Sequence, residues 1–143
     1  MLKTYLVEDS PVIRSGLIAL LEELSPVQIV GVADNEAEAV AWLCDKNHIV
    51  DLVIIDIFLK SGSGLGVLRR AAALNLDAKM VVLTNYATAD MRQRSLALGA
   101  AHLFDKSIDI DALVKYCNSL AGDLDGTTLT PGPEPETEPS SLS

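Results

Sequence analysis

The sequence is poor in the residues from which thiolate-metal sites and nucleophilic triads are built. Only two cysteines occur in 143 residues, Cys44 and Cys117. They lie far apart and without ligand spacing, which argues against a zinc motif or a disulfide framework and suits reduced thiols in a cytoplasm. The two histidines are His48 and His102. One falls in a loop and the other opens an apolar run, so both read as structural residues. No Ser/His/Asp or Cys/His arrangement is evident, and no glycine-rich phosphate cradle. No apolar run approaches the roughly 20 residues that a membrane-spanning helix needs. The opening Met1-Leu2-Lys3-Thr4-Tyr5 lacks the basic and apolar regions of a signal peptide, so export is not expected.

Positive charge is scarce as well. Lys and Arg total 11 against 20 acidic residues, a formal net charge of −9. Such a chain is repelled by nucleic acid and by anionic lipid, so neither is expected as a direct partner. Arg69-Arg70 and Arg92-Gln93-Arg94 are short and read as solvated helix faces.

What is present is an alternation. Apolar runs at Thr4–Val7, Gln28–Val32, Leu52–Ile55, Met80–Leu83 and His102–Phe104 are separated by helical patterns. The central runs are nearly continuous in Val, Ile and Leu, as in strands buried on both faces of a parallel sheet. In the first helical segment Ile13, Leu17, Leu20, Leu21 and Leu24 form one stripe, with Ser10 as N-cap and Pro11 in the first turn. Asn35 and Glu38 resemble a capping box ahead of Val40, Leu43 and Cys44. The third segment carries Val67, Leu68, Ala71 and Ala72. The fourth, Ala89 to Leu98, is the most polar. The fifth has Ile110, Leu113, Val114, Cys117 and Leu120, with Asp109 as its expected cap.

Repeated βα units of this length imply a doubly wound α/β domain, a flavodoxin-like (βα)5 fold. Right-handed crossovers leave a parallel five-stranded sheet in the order 2-1-3-4-5 as the simplest topology. Ligands then bind beyond the carboxyl ends of the strands, near the switch point between strands 1 and 3. The domain is expected over residues 1–123. From 124 to 143 the sequence turns acidic and rich in Pro, Glu, Thr and Ser, a segment with too little apolar content to fold and expected to be a disordered tail.

Polar residues stand at the ends of the runs. Strand 1 ends in Glu8-Asp9, strand 3 in Asp56 and strand 4 in Thr84, and Lys106 follows strand 5. Carboxylates gathered at one edge repel one another unless a cation compensates, and oxygen ligands suit Mg2+. Asp56 then reads as a carboxylate nucleophile that forms an acyl phosphate. Lys106 supplies positive charge to the phosphoryl oxygens and the Thr84 hydroxyl donates to one of them.

These residues resemble the receiver domain of bacterial two-component response regulators, over about residues 2–121. The likeness is carried by Glu8-Asp9, by Val53-Ile54-Ile55-Asp56, by Gly64 eight residues on, by Thr84 after a hydrophobic strand, by Gly99-Ala100 and by Lys106. The resemblance implies a signalling switch and not an enzyme turning over an external substrate. With no room for a second, output domain it is expected to stand alone, and its cysteine usage suits the cytoplasm. A sensor histidine kinase or phosphotransfer protein would pass its phosphoryl group to Asp56. It implies Mg2+ bound by Asp9, Asp56 and the backbone carbonyl of Phe58, with Glu8 holding the metal through water. Output would run to a protein partner over helix 4, strand 5 and helix 5.

Three positions depart from the family pattern. Lys60 stands where proline is usual, in the glycine-rich stretch Lys60-Ser61-Gly62-Ser63-Gly64, which allows that loop more freedom. Ser107 follows the lysine where proline is usual, so a trans bond is expected. Leu103 stands where many receivers carry the Tyr or Phe that swings inward on activation. These departures keep open a second reading, a binding module of the same fold that does not depend on phosphorylation. A phosphohydrolase similar to haloacid dehalogenases wants a second Asp two residues after the nucleophile. Here Phe58 stands two beyond Asp56, and Pro11 two beyond Asp9. Phe58 and Tyr86 flank the site and are expected to screen an acyl phosphate from water.

Overall fold

The computed structural model describes residues 1–125, the side chain of Asp125 excepted. Its elements alternate as β1 (Leu2–Val7), α1 (Pro11–Leu24), β2 (Val27–Ala33), α2 (Glu36–Cys44), β3 (Leu52–Ile55), α3 (Gly64–Leu74), β4 (Lys79–Thr84), α4 (Ala89–Ala97), β5 (His102–Asp105) and α5 (Ile110–Asp125). The strands form a parallel sheet in the order β2-β1-β3-β4-β5. The expected topology is therefore the observed one. Of the tail expected over 124–143, the first two residues continue α5, and 126–143 lie outside the described residues.

Two apolar layers sandwich the sheet. On one face Tyr5, Val53, Ile55 and Val82 pack with Ala39, Leu43, Val67, Leu68 and Ala71 from α2 and α3, and with Met91 and Leu98 at α4. On the other Leu6, Ile54, Val81 and Leu83 pack with Leu17 and Leu21 of α1 and Leu113, Cys117 and Leu120 of α5. Successive strand residues serve opposite layers because side chains alternate across a strand. That alternation explains the unbroken apolar stretches Tyr5–Val7 of β1, Leu52–Ile55 of β3 and Met80–Leu83 of β4. The outer strand β2 is only half-buried along Gln28–Val32.

The helices depart from their expected faces at the ends. Leu17 and Leu21 of α1 are buried, but Ile13 in its first turn and Leu24 at its last residue are exposed. On α2 the buried residues are Ala39 and Leu43, while Cys44 faces solvent. Trp42 turns inward and stacks between Tyr5 and His48, with ring centroids 4.0 Å from each. Ala72 of α3 is exposed.

Two of the expected caps form. The Ser10 hydroxyl accepts from the Ile13 N–H and the Asn35 side chain from the Glu38 N–H. The return bond of the capping box runs from the Asp34 N–H, rather than that of Asn35, to Glu38. The Asp109 carboxylate accepts from the Asp105 N–H, back toward β5, instead of capping α5. Among the described residues every peptide bond is trans, that between Lys106 and Ser107 included.

Candidate functional site

All five strands point the same way, so their carboxyl ends share one edge of the sheet. Register sets the depth of each group there. Val7 is level with Ile55, which puts Glu8 beside Asp56, the residue after each strand. The Asp56 N–H donates to the Val7 carbonyl at 2.9 Å, and the Glu8 N–H to that of Ala33 at 2.9 Å. Beyond β4, the Lys106 N–H donates to the Thr84 carbonyl at 2.9 Å and thereby starts the ammonium-bearing chain back toward β3.

Glu8, Asp9 and Asp56 each present a carboxylate oxygen within 4.8 Å of the others. Glu8 is 1 % exposed and Asp56 7 %, so this charge is held largely out of water. Lys106 Nζ donates to Glu8 Oε1 at 2.6 Å and to Asp56 Oδ2 at 3.0 Å. The other Asp56 oxygen, Oδ1, accepts from the Phe58 N–H at 3.3 Å, and Glu8 Oε2 accepts from the Ser10 N–H at 3.1 Å.

Burial pushes the Asp56 carboxyl above its ordinary pKa. The Lys106 ammonium pulls it down without cancelling the effect, and the Glu8 charge pushes it further up. For Lys106 burial acts against the charged form. The hydrogen bonds and charges of Glu8 and Asp56 outweigh it, and its pKa is raised. One lysine thus offsets only part of a three-carboxylate cluster. A donor set made entirely of carboxylate oxygens suits a hard divalent cation, and it fits Mg2+ better than a soft thiophilic metal.

Thr84 is fully buried at the same edge, and its hydroxyl oxygen accepts from the Tyr86 N–H at 3.1 Å. Phe58 and Tyr86 are half or more exposed, and their rings meet edge to face with centroids 4.8 Å apart. Together they form an aromatic rim linking the β3–α3 and β4–α4 loops. Gly64 is dictated by close approach, since a Cβ there would overlap the carbonyl oxygen of Asp56.

Every residue selected from the sequence therefore lies at this edge. Two supporting contacts have no sequence signature. Arg14, one turn into α1, donates from Nη1 to the Glu8 carbonyl at 2.8 Å. The Lys60–Gly64 loop, expected to have more freedom, is tied back to the start of α2. Leu103 is buried in the core, where its carbonyl accepts from Arg92 Nη1 at 3.0 Å. His48 and His102 lie away from the site, His48 stacked on Trp42 and His102 edge to face with Tyr116.

The response regulator receiver domain family matches residues 4–118. The chain belongs to that family. It is 38 % identical over 114 residues to a candidate transcriptional regulator of Pseudomonas aeruginosa, covering 80 % of this chain and 54 % of that protein. It is 30 % identical over 120 residues to the response regulator UvrY of Escherichia coli, covering 84 % and 54 %. The chain thus spans about half the length of the curated relatives it matches. Among solved structures, a LuxR-family DNA-binding response regulator of Staphylococcus aureus superimposes with a TM-score of 0.75 at 21 % identity, covering 84 % of this chain and 98 % of that one. A Burkholderia pseudomallei response regulator, solved with a phosphorylated aspartic acid and a calcium ion, gives 0.70 at 20 % identity, covering 93 % and 76 %. At such identities the likeness is one of fold.

As a receiver domain the chain carries, in Glu8, Asp9 and Asp56, an acidic cluster consistent with phosphorylation, and it matches the divalent-metal site of that family, commonly an Mg2+ site. Receiver domains catalyse only their own phosphorylation and dephosphorylation, so membership assigns no turnover of an external substrate. Among the described residues no helix is long and apolar enough to cross a membrane.

Proposed function

We propose that this receiver domain is a phosphorylation switch in which Asp56 accepts a phosphoryl group from a histidine kinase or a phosphotransfer protein in the cytoplasm. The observation that carries the reading is the convergence of Glu8, Asp9 and Asp56 within 4.8 Å, with Lys106 donating to two of them. The phosphorylated aspartic acid and cation of the Burkholderia relative support it.

In this reading an Asp56 carboxylate oxygen attacks the phosphorus of a phosphohistidine. The new O–P bond forms as the P–N bond breaks, and the imidazole leaves with the electron pair and takes up a proton. Lys106, already donating to Asp56 Oδ2, turns to an incoming phosphoryl oxygen. Thr84 keeps its hydroxyl proton free to donate, because in the present contact its oxygen is the acceptor. Asp9, Asp56 and the Phe58 carbonyl would hold Mg2+, with Glu8 behind a water. The ion neutralises charge on the transferring group when bound. Phosphate on Asp56 then biases a pre-existing equilibrium, with the Asn85–Thr88 loop shifting and α4, β5 and α5 presenting the readout surface to a protein partner.

Acetyl phosphate with Mg2+ provides the test. The intact mass should rise by one phosphoryl group, and Asp56→Ala should abolish the rise while variants at the chain's other aspartates outside the cluster retain it. A second reading, binding without phosphorylation, is favoured by the buried aliphatic Leu103 at the usual aromatic position. An unchanged mass in the wild-type chain would establish that reading instead.

A further inference from the structure

Where a proline would stiffen the β3–α3 loop, this chain has Lys60, and the following Ser61-Gly62-Ser63 turn is intrinsically loose. The turn is nevertheless clamped at both ends by one residue. The Glu36 N–H donates to the Ser61 carbonyl at 3.1 Å, and Glu36 Oε1 accepts from the Ser63 N–H at 2.9 Å. Two glycines make room for it. Gly62 has a φ of +82°, and a Cβ there would lie 2.8 Å from Glu36 Oε1. A Cβ on Gly66 would overlap the Glu36 carboxylate itself. The carboxylate therefore sits in a notch built for it, at the positive end of α3. The neighbouring Lys60–Asp34 pair, 3.9 Å apart and solvent-exposed, holds the loop far less.

The clamped turn supports the site directly. Ser63 pairs with Phe58 in an antiparallel bridge, and the Gly64 N–H donates to the Ile57 carbonyl at 2.8 Å. Phe58 in turn donates to Asp56 Oδ1. We infer that Glu36 is a positioning residue for the acceptor loop, holding the Phe58 carbonyl and Asp56 in register for Mg2+ by bridging Ser61 and Ser63. The inference rests on the reading of Asp56 and Phe58 proposed above. Glu36 touches neither phosphoryl group nor metal. Its effect passes through main-chain bonds.

The experiment compares the full chain with Glu36→Ala, Glu36→Gln, Gly66→Ala and the Glu36→Ala/Gly66→Ala double variant. Mg2+ affinity is read by calorimetry, and Ser63 amide exchange is read without metal. Glu36→Ala should weaken Mg2+ binding about 5- to 10-fold and speed Ser63 exchange at least about 10-fold. Glu36→Gln keeps a side-chain oxygen acceptor and should restore both to within about twofold. Gly66→Ala displaces an intact carboxylate and should mimic Glu36→Ala even if the latter folds poorly. The double variant should be no worse than either single one, since both break the same clamp. Wild-type Mg2+ affinity in Glu36→Ala, or no rescue by Gln, overturns the inference and leaves the reading of Asp56 intact. A wild-type chain that binds no Mg2+ overturns that reading and the inference with it.

Discussion

Lys106 donates to Glu8 across 2.6 Å, although 98 positions separate them in the chain. Its contact with Asp56 is the longer one, at 3.0 Å. Glu8 therefore anchors the ammonium while leaving it in reach of the acceptor. A lysine held in this way can turn toward a new anion on Asp56 without first leaving its partner.

The balance of charges at the site sets a pH dependence. The Asp56 pKa is raised in the fold, chiefly by burial. A raised pKa contributes stability below the ordinary value of 3.8 that is lost as pH rises through the folded value. Above that range ionised Asp56 costs stability. Without metal, Asp56→Asn should therefore be more stable than wild type at pH 7, by on the order of 1 kcal/mol. The two should converge near pH 3, and urea unfolding at both pH values checks this.

Mg2+ should reverse the cost. At a concentration of 100 Kd a ligand specific to the folded state adds about 2.7 kcal/mol, or roughly 5–10 °C in Tm for a chain of this size. Thermal melts with MgCl2 should show the rise, EDTA should remove it, and Asp56→Asn should lack most of it. A rise of equal size in Asp56→Asn would place the ion elsewhere.

Gly64→Ala should damage the site from behind. The new Cβ meets the main-chain oxygen of Asp56, which has no rotamer by which to yield. The expected loss is roughly 1–3 kcal/mol of stability, as in overpacked cores, together with slower phosphorylation by acetyl phosphate.

Tyr86 and Phe58 meet edge to face at the rim, with Tyr86 60 % exposed. If the pair screens the acyl phosphate, Tyr86→Ala should shorten the phosphoryl half-life several-fold. A half-life that does not change removes that role.

The two cysteines should respond differently to a thiol reagent. Cys44 is exposed, whereas Cys117 is fully buried against the sheet and its thiol is pushed up to about 11 by that burial. The native chain should react at one thiol per molecule, and the urea-unfolded chain at two.

Much of this molecule is legible in its residues because the signals are local and periodic. Runs such as Leu52–Ile55 between helical stripes specify a parallel sheet, and crossover handedness leaves one simple order for it. Once strands are parallel, Glu8, Asp56, Thr84 and Lys106 must share an edge, since each follows or ends a strand. Helix faces were less legible. Periodicity marks a stripe but not which of its residues the rest of the fold covers, and Ile13, Leu24 and Cys44 are exposed.

The sequence by itself determined the fold, the edge and the set of groups gathered there. Tertiary structure decided how those groups are partnered. That Lys106 leans on Glu8 as well as Asp56, and that Glu36 clamps Ser61 and Ser63, depends on distances between separate chain segments, while the nearer contacts of Arg14 with the Glu8 carbonyl and of Asp109 with Asp105 depend on how the chain turns at the strand ends. Hydrogen bonds act over about 3 Å, whereas a sequence pattern locates an element only to within a residue or two.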